Sequence, residues 1–182
     1  MARFIIGWTL CCSNKLGNRK QGIYHPLPVP THPWEIISMD CVGGLPTTRK
    51  GHDYLFMVVD KFSKICIMIL CKKTISGQET TNFFFLQVWV HFGIPRSIIS
   101  NRETRFLSAF WTTLWENINI KLKRYTPFHP LIDGKIEVVN MSLVQLLRGY
   151  NHKNRKTWDE NMVYIQHSYN KVVHTSIGKS PF

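Results

Sequence analysis

The chemistry this chain could perform starts from Asp40. It stands late in the run Ile36-Ile37-Ser38-Met39-Asp40-Cys41-Val42, which reads as a strand and is broken by Gly43-Gly44 and Pro46. A strand buried on both faces seldom tolerates a charge, because an unpaired carboxylate loses its hydration there. Two readings stand side by side: the acid holds a cation, or it caps the turn before Gly43-Gly44. On the first reading the chemistry is phosphoryl transfer. Carboxylates gathered from separate elements around two divalent cations support an in-line displacement, one metal activating the attacking water or hydroxyl and the other stabilising the leaving oxygen.

Charge points the same way. The 182 residues carry 23 Lys and Arg against 11 Asp and Glu, a formal net charge of +12 that is unusual for a cytosolic metabolic enzyme. Such a surface suits a polyanion, since neutralising phosphates releases condensed counterions. Nucleic acid is favoured over an anionic membrane, because no Lys-rich amphipathic helix is visible. No apolar stretch is long enough to span a bilayer. The five cysteines, Cys11, Cys12, Cys41, Cys66 and Cys71, are odd in number and irregularly spaced, so a reducing compartment is expected, nuclear or cytoplasmic. The run Phe4 to Leu10 after Arg3 imitates a short signal peptide but lacks the usual cleavage site.

Residues 13–33 are rich in Gly, Asn, Pro and basic residues and read as a linker, with His25-Pro26-Leu27-Pro28-Val29-Pro30 favouring extended geometry. Beyond it, 36–42, 54–59 and 65–70 read as three successive strands, with Lys61 to Lys64 turning between the last two. Ser76 and Glu79 resemble a capping box opening a helix over 77–91, which Gly93 and Pro95 end. A short strand over 96–100, a helix over 106–117, a strand over 118–125, a helix from about Ile132 and a final helix over 158–172 follow. Trp111 and Trp115, at helical spacing, read as core rather than as platforms for bases. The sum is one α/β unit of 34–182, a mixed five-stranded sheet covered by helices on both faces.

Several stretches in the same order resemble the integrases of gypsy-type long-terminal-repeat retrotransposons, relatives of retroviral integrases, from about Cys11 to Phe182. They are Pro33 to Asp40, Val58-Val59-Asp60-Lys61-Phe62-Ser63-Lys64, Phe92 to Ser100, Phe128-His129-Pro130, Asp133 to Asn140, Tyr169-Asn170 and His174 to Phe182. The resemblance implies a ribonuclease H-like fold, Mg²⁺ or Mn²⁺ as cofactor, DNA as partner and self-association. It also implies an Asp, Asp, Glu catalytic and metal-binding set with thirty-five residues between the last two. Asp40 matches the first acid and Glu137 the third. Counting back from Glu137 lands on Asn101, so the family's Ser-Asp-Arg-Asp reads Ser100-Asn101-Arg102-Glu103 and an amide stands where the second Asp belongs. Asn offers a neutral oxygen to a cation that prefers anionic ones, so metal binding is expected to be weakened. Glu103, two extended residues along, lies almost 7 Å too far to replace it without rebuilding the loop.

Further departures lie close by. The family's Gln-Thr after His-Pro is Leu131-Ile132, and its Gln-Thr before the catalytic Glu is Lys135-Ile136. Arg102, His129, Lys135 and Asn140 flank the acids and are the candidate nucleic-acid contacts. Lys121 to Tyr125 and His152 to Lys156 are basic runs that also suit plain solvated surface. Residues 1–33 read as the end of the family's zinc module plus the linker. Adjacent Cys11 and Cys12 are poor joint ligands for tetrahedral zinc, and none is expected. The end at Ser180-Pro181-Phe182 precedes the C-terminal DNA-binding region of that family. The expected function is a DNA-integrating core, trimming a 3′ end and joining it to target DNA, and inactive in this copy. The competing reading is a catalytically silent nucleic-acid-binding or self-associating domain derived from one, so enzyme status stays open.

Overall fold

The structure, a computed structural model, describes residues 30–100, 112, 115, 116, 118–124, 144, 145, 147, 156–174 and 177–182. Its frame is a sheet in the order β3-β2-β1-β4-β5, made of β1 (Ile36–Val42), β2 (Tyr54–Asp60), β3 (Cys66–Cys71), β4 (Ser97–Ser100) and β5 (Lys121–Arg124). β1, β2 and β3 pair antiparallel as the meander expected from their short connections. β4 and β5 join parallel, β4 directly beside β1 with Ile36 opposite Ser97 and Met39 opposite Ser100. The sheet is therefore mixed, with β1 at its centre.

Side-chain alternation along β2 divides the core in two. Tyr54, Phe56 and Val58 join Ile37, Met39, Ile98, Phe84, Val88 and Trp115 on one face. Leu55, Met57 and Val59 join Val42, Met68, Leu147, Trp158, Met162, Ile165 and Tyr169 on the other. Helical residues thus cover both faces. Trp115 is buried and meets the Phe84 ring edge-on, which makes it core as its spacing indicated; Trp111 lies outside the described residues.

α1 (Gly77–Phe84) opens with the anticipated capping box: Ser76 Oγ accepts from the Glu79 N–H, and Glu79 accepts from the Ser76 N–H. The chain continues through a π-helical turn, Phe85–Trp89, to α2 (Val90–Phe92), and Gly93 leaves it at φ 80°. The segment 118–120, expected as strand, is a turn. Asn119 takes a left-handed φ of 58°, its N–H donates to Glu116 O, and the Ile120 N–H donates to Trp115 O. That pair of bonds closes the preceding helical segment, and Asn tolerates the left-handed cap at small cost. β5 accordingly begins only at Lys121. The last helix opens as a 3-10 turn, Trp158–Asn161, and runs on as α3 (Met162–Lys171).

α3 also protects an edge of the sheet. Among the described residues β3 has no strand beyond it, which would leave its outward N–H and C=O groups open to pairing with another chain. Asn170 closes this gap: its side chain accepts from the Cys66 N–H at 2.9 Å and donates to Cys66 O at 3.0 Å. One turn earlier, Gln166 accepts from the Met68 N–H at 2.8 Å. Replacing Asn170 with Ala strands two buried backbone groups, and we expect about 2–3 kcal/mol of lost stability in urea unfolding, with increased aggregation.

Candidate functional site

Asp40 lies two residues from the end of β1, opposite Met57 of β2. It is half-buried, unlike the fully enclosed Ile37 and Met39 before it. The premise of full enclosure does not hold for this side chain, although Val42 beyond it on the same face is buried again. One of its oxygens accepts the Cys41 N–H at 2.8 Å. By alternation it shares the sheet face of Ser38 and Val42, and the parallel partner of Met39 is Ser100, the last residue of β4. Ser100 is fully buried, and its hydroxyl has no hydrogen-bond partner among the described residues.

The other expected site residues, Asn101 and Glu137, lie outside the described residues, as do Arg102, His129, Lys135 and Asn140. Cys11 and Cys12, the basic turn 152–155 and the helix expected from Ile132 do too. Among the described residues no group of three or more His, Cys, Asp or Glu side chains could hold a metal ion. Asp40 is therefore the one acid of the expected set whose surroundings are known. A half-buried carboxylate at a strand end is a donor of the hard anionic kind that Mg²⁺ prefers.

A second acid fits the argument from burial better, and it is structural. Asp60 ends β2 with no solvent exposure. Its carboxylate is filled by donors of its own chain: the N–H groups of Trp34 at 3.0 Å, Phe62 at 3.3 Å and Ser63 at 2.9 Å, and the Ser63 hydroxyl at 2.6 Å. It thereby ties the β2–β3 turn, where Lys64 takes φ 67°, to the entry of β1, where Trp34 takes φ 62°. Trp34 stacks on Phe92 at 3.8 Å between ring centroids. Glu35 holds the same end of the sheet; its carboxyl lies below the usual range chiefly because it accepts the Thr31 N–H, with Arg96 3.6 Å away.

Sequence reasoning also passed over a cluster at the Asp40 end of the sheet. Asp159 is buried at the start of the last helical segment and pairs with His52 at 2.8 Å, 107 residues earlier. Burial works against its charge, but hydrogen bonds from His52 and Thr48, together with the charges of His52 and Lys50, hold its carboxyl below the ordinary value. Beside it the Trp158 indole N–H donates to Pro46 O at 2.6 Å. No local pattern announces either contact.

A mixed sheet with this strand order, helices on both faces and an acid on the central strand defines a ribonuclease H-like domain. Among solved structures, a chain of the simian T-cell lymphotropic virus intasome superposes with TM-score 0.73 at 19% identity, over 99% of this chain and 63% of that one. The HTLV-2 integrase catalytic core domain in complex with magnesium, in its trimeric form, gives 0.64 at 23% identity, over 83% and 95%. The catalytic core of BIV integrase gives 0.62 at 16% identity, over 81% and 91%. At these identities the likeness establishes the fold, that of an integrase core. No protein-family model matches the chain. The Tf2-3 and Tf2-4 transposon polyproteins of Schizosaccharomyces pombe are 35% identical to it over 173 residues, 94% of the chain, and the chain spans 13% of their length. In sequence the chain is akin to a segment of retrotransposon polyproteins, and its fold is that of the retroviral integrase catalytic cores.

The contrast between the two acids is measurable. Asp60→Ala removes a carboxylate that satisfies several buried donors and is expected to lower the unfolding free energy by about 3 kcal/mol. Asp40→Asn, at a strand end, is expected to change it by less than about 0.5 kcal/mol. Equal losses in denaturant titrations of the two variants would remove the distinction between an acid that the fold depends on and one that it can spare.

Proposed function

We propose that this domain is the polynucleotidyl-transferase core of a gypsy-type element, built to trim a DNA 3′ end and join it to target DNA, and that this copy is inactive or nearly so. The observation that carries the reading is the pairing of β1 with β4. The two strands run parallel, with Met39 opposite Ser100, and the next residues in sequence are Asp40 and Asn101. Continued by one residue, the same register would set these two positions side by side on one face, where a first and a second metal ligand belong. Glu137 completes the set. Residues 34–182 form the core on this reading, and 1–33 the end of a zinc module with its linker.

Bound Mg²⁺ or Mn²⁺ would activate the attacking oxygen and stabilise the leaving one. Asp40 contributes a half-buried carboxylate at the strand end, and Glu137 a second anionic ligand. Asn101 contributes only a neutral carbonyl oxygen, so the formal charge of the set falls from minus three to minus two and occupancy by two cations weakens. Arg102, His129, Lys135 and Asn140 are proposed to hold the DNA backbone, with Leu131, Ile132 and Ile136 altering that surface. The net charge of +12 supports DNA as the partner. The relation to integrases solved in dimeric and trimeric forms supports self-association. No helix among the described residues is long and apolar enough to cross a membrane; a DNA substrate and five irregularly spaced cysteines support a nuclear or cytoplasmic setting.

A second reading, a silent DNA-binding or self-associating domain, is favoured by Asn101 alone. Metal titration by calorimetry followed by a strand-transfer assay separates the two. Asn101→Asp is expected to raise Mn²⁺ affinity at least tenfold, about 1.4 kcal/mol, and to restore joining only partly. Robust Mg²⁺-dependent joining by the unaltered chain would overturn the proposed inactivity. Equal metal affinity of the two proteins would remove Asn101 from the site.

A further inference from the structure

The β1–β2 connection sits at the end of the sheet that carries Asp40 and is tied down at several points. Its tip is a tight turn in which the Gly51 N–H donates to Thr48 O at 3.0 Å and the His52 N–H donates to Thr48 Oγ1 at 3.0 Å. Arg49 and Lys50 are the central residues of that turn, and both side chains are exposed. Gly51 takes φ 84°, and a Cβ there would come within 3.4 Å of the Lys72 side chain, which therefore lies over the turn. The Arg49 N–H donates to Lys156 O at 3.0 Å, bringing a further basic residue to the turn. Behind it, the buried Asp159 carboxylate holds His52, and Trp158 holds Pro46.

The arrangement differs from an ordinary solvated basic loop in its anchoring. Two charged side chains are displayed from a backbone fixed by the start of the last helical segment, so little conformational freedom is lost when they engage a ligand. Lys50 feels the charge of Asp159 and Lys72 that of Glu79, but the ion pairs His32–Glu35, His52–Asp159 and Arg96–Glu35 use neither of them nor Arg49. Of the acids beside the turn, Asp159 is paired with His52 beneath it and Asp53 accepts the Lys73 N–H at 2.7 Å. Antiparallel pairing of β1 with β2, Val42 opposite Leu55, fixes the turn on the same sheet end as Asp40.

We propose that the Thr48–Gly51 turn is a phosphate-contacting arm, in which Arg49 and Lys50 grip the backbone of a DNA duplex at the sheet end that carries Asp40. This rests on the reading of DNA as the substrate. It adds a contact surface formed by the β1–β2 hairpin, separate from the residues that flank the expected acids. The contacts are to phosphate and carry no sequence information.

The test is fluorescence anisotropy of a labelled blunt duplex titrated with the full chain over a salt series. Each phosphate contact contributes about 0.9 to the slope of log K against log salt. Arg49→Ala/Lys50→Ala is expected to reduce the slope by about 1.8. Lys171→Ala/Lys179→Ala removes the same charge from the opposite end of α3 and beyond, and is expected to leave the slope unchanged. Asp159→Asn raises the net charge by one yet loosens the anchor, so weaker binding is expected; tighter binding would show that bulk charge rather than the held turn sets affinity. Equal slopes for the two double variants overturn the arm while leaving DNA binding intact. A salt-independent or undetectable interaction of the unaltered chain overturns the DNA reading itself.

Discussion

The structure turns on the position of β1. It is hydrogen-bonded on both edges, to β2 and to β4, and its side chains feed hydrophobic clusters on both faces. No place along its middle can keep a carboxylate hydrated, and none is found there. The charge on β1 falls at Asp40, near the strand's end, where the side chain is only half-buried. β4 lies parallel beside β1, with Met39 opposite Ser100, so the residue that precedes Asp40 is paired with the last residue of β4.

The two ends of the sheet are held by different means. At one, the Asp60 carboxylate gathers N–H donors from the entry of β1 and from the β2–β3 turn, while Asn170 satisfies the exposed edge of β3. These groups are spent on structure. At the other end, Asp159 and Trp158 hold the β1–β2 hairpin from behind and leave its basic tip outside. Rigid attachment on one side and an exposed, charged margin on the other is the division expected of a scaffold that presents a surface to a polyanion.

Much of this was legible in the residues where the signal is local. The strand runs 36–42 and 54–60 are dense in β-branched and apolar residues, and Ser76 with Glu79 forms a helix start whose partners are three positions apart. The strand expected over 118–125 failed at its start because Ile118-Asn119-Ile120 mimics strand alternation, whereas Asn119 closes a helix in the left-handed region. Asp60 was passed over because its partners are mainly backbone N–H groups, which no side-chain pattern displays. The argument that singled out Asp40, a charge enclosed in a strand, physically describes Asp60. His52 and Asp159 are too far apart in sequence to suggest each other. Asn101 and Glu137 entered through resemblance to integrases, since residue type alone gives an amide and a distant acid no shared role.

The central claim is that Asp40 faces a cation site shared with position 101, and anomalous diffraction from crystals of the Asn101→Asp protein soaked in Mn²⁺ tests it most directly. The account predicts an anomalous peak within about 2.5 Å of an Asp40 carboxylate oxygen, bridged to the substituted side chain and to Glu137. A protein with ordered density at all three positions and no peak beside Asp40, or a peak at Asp60 instead, would contradict it.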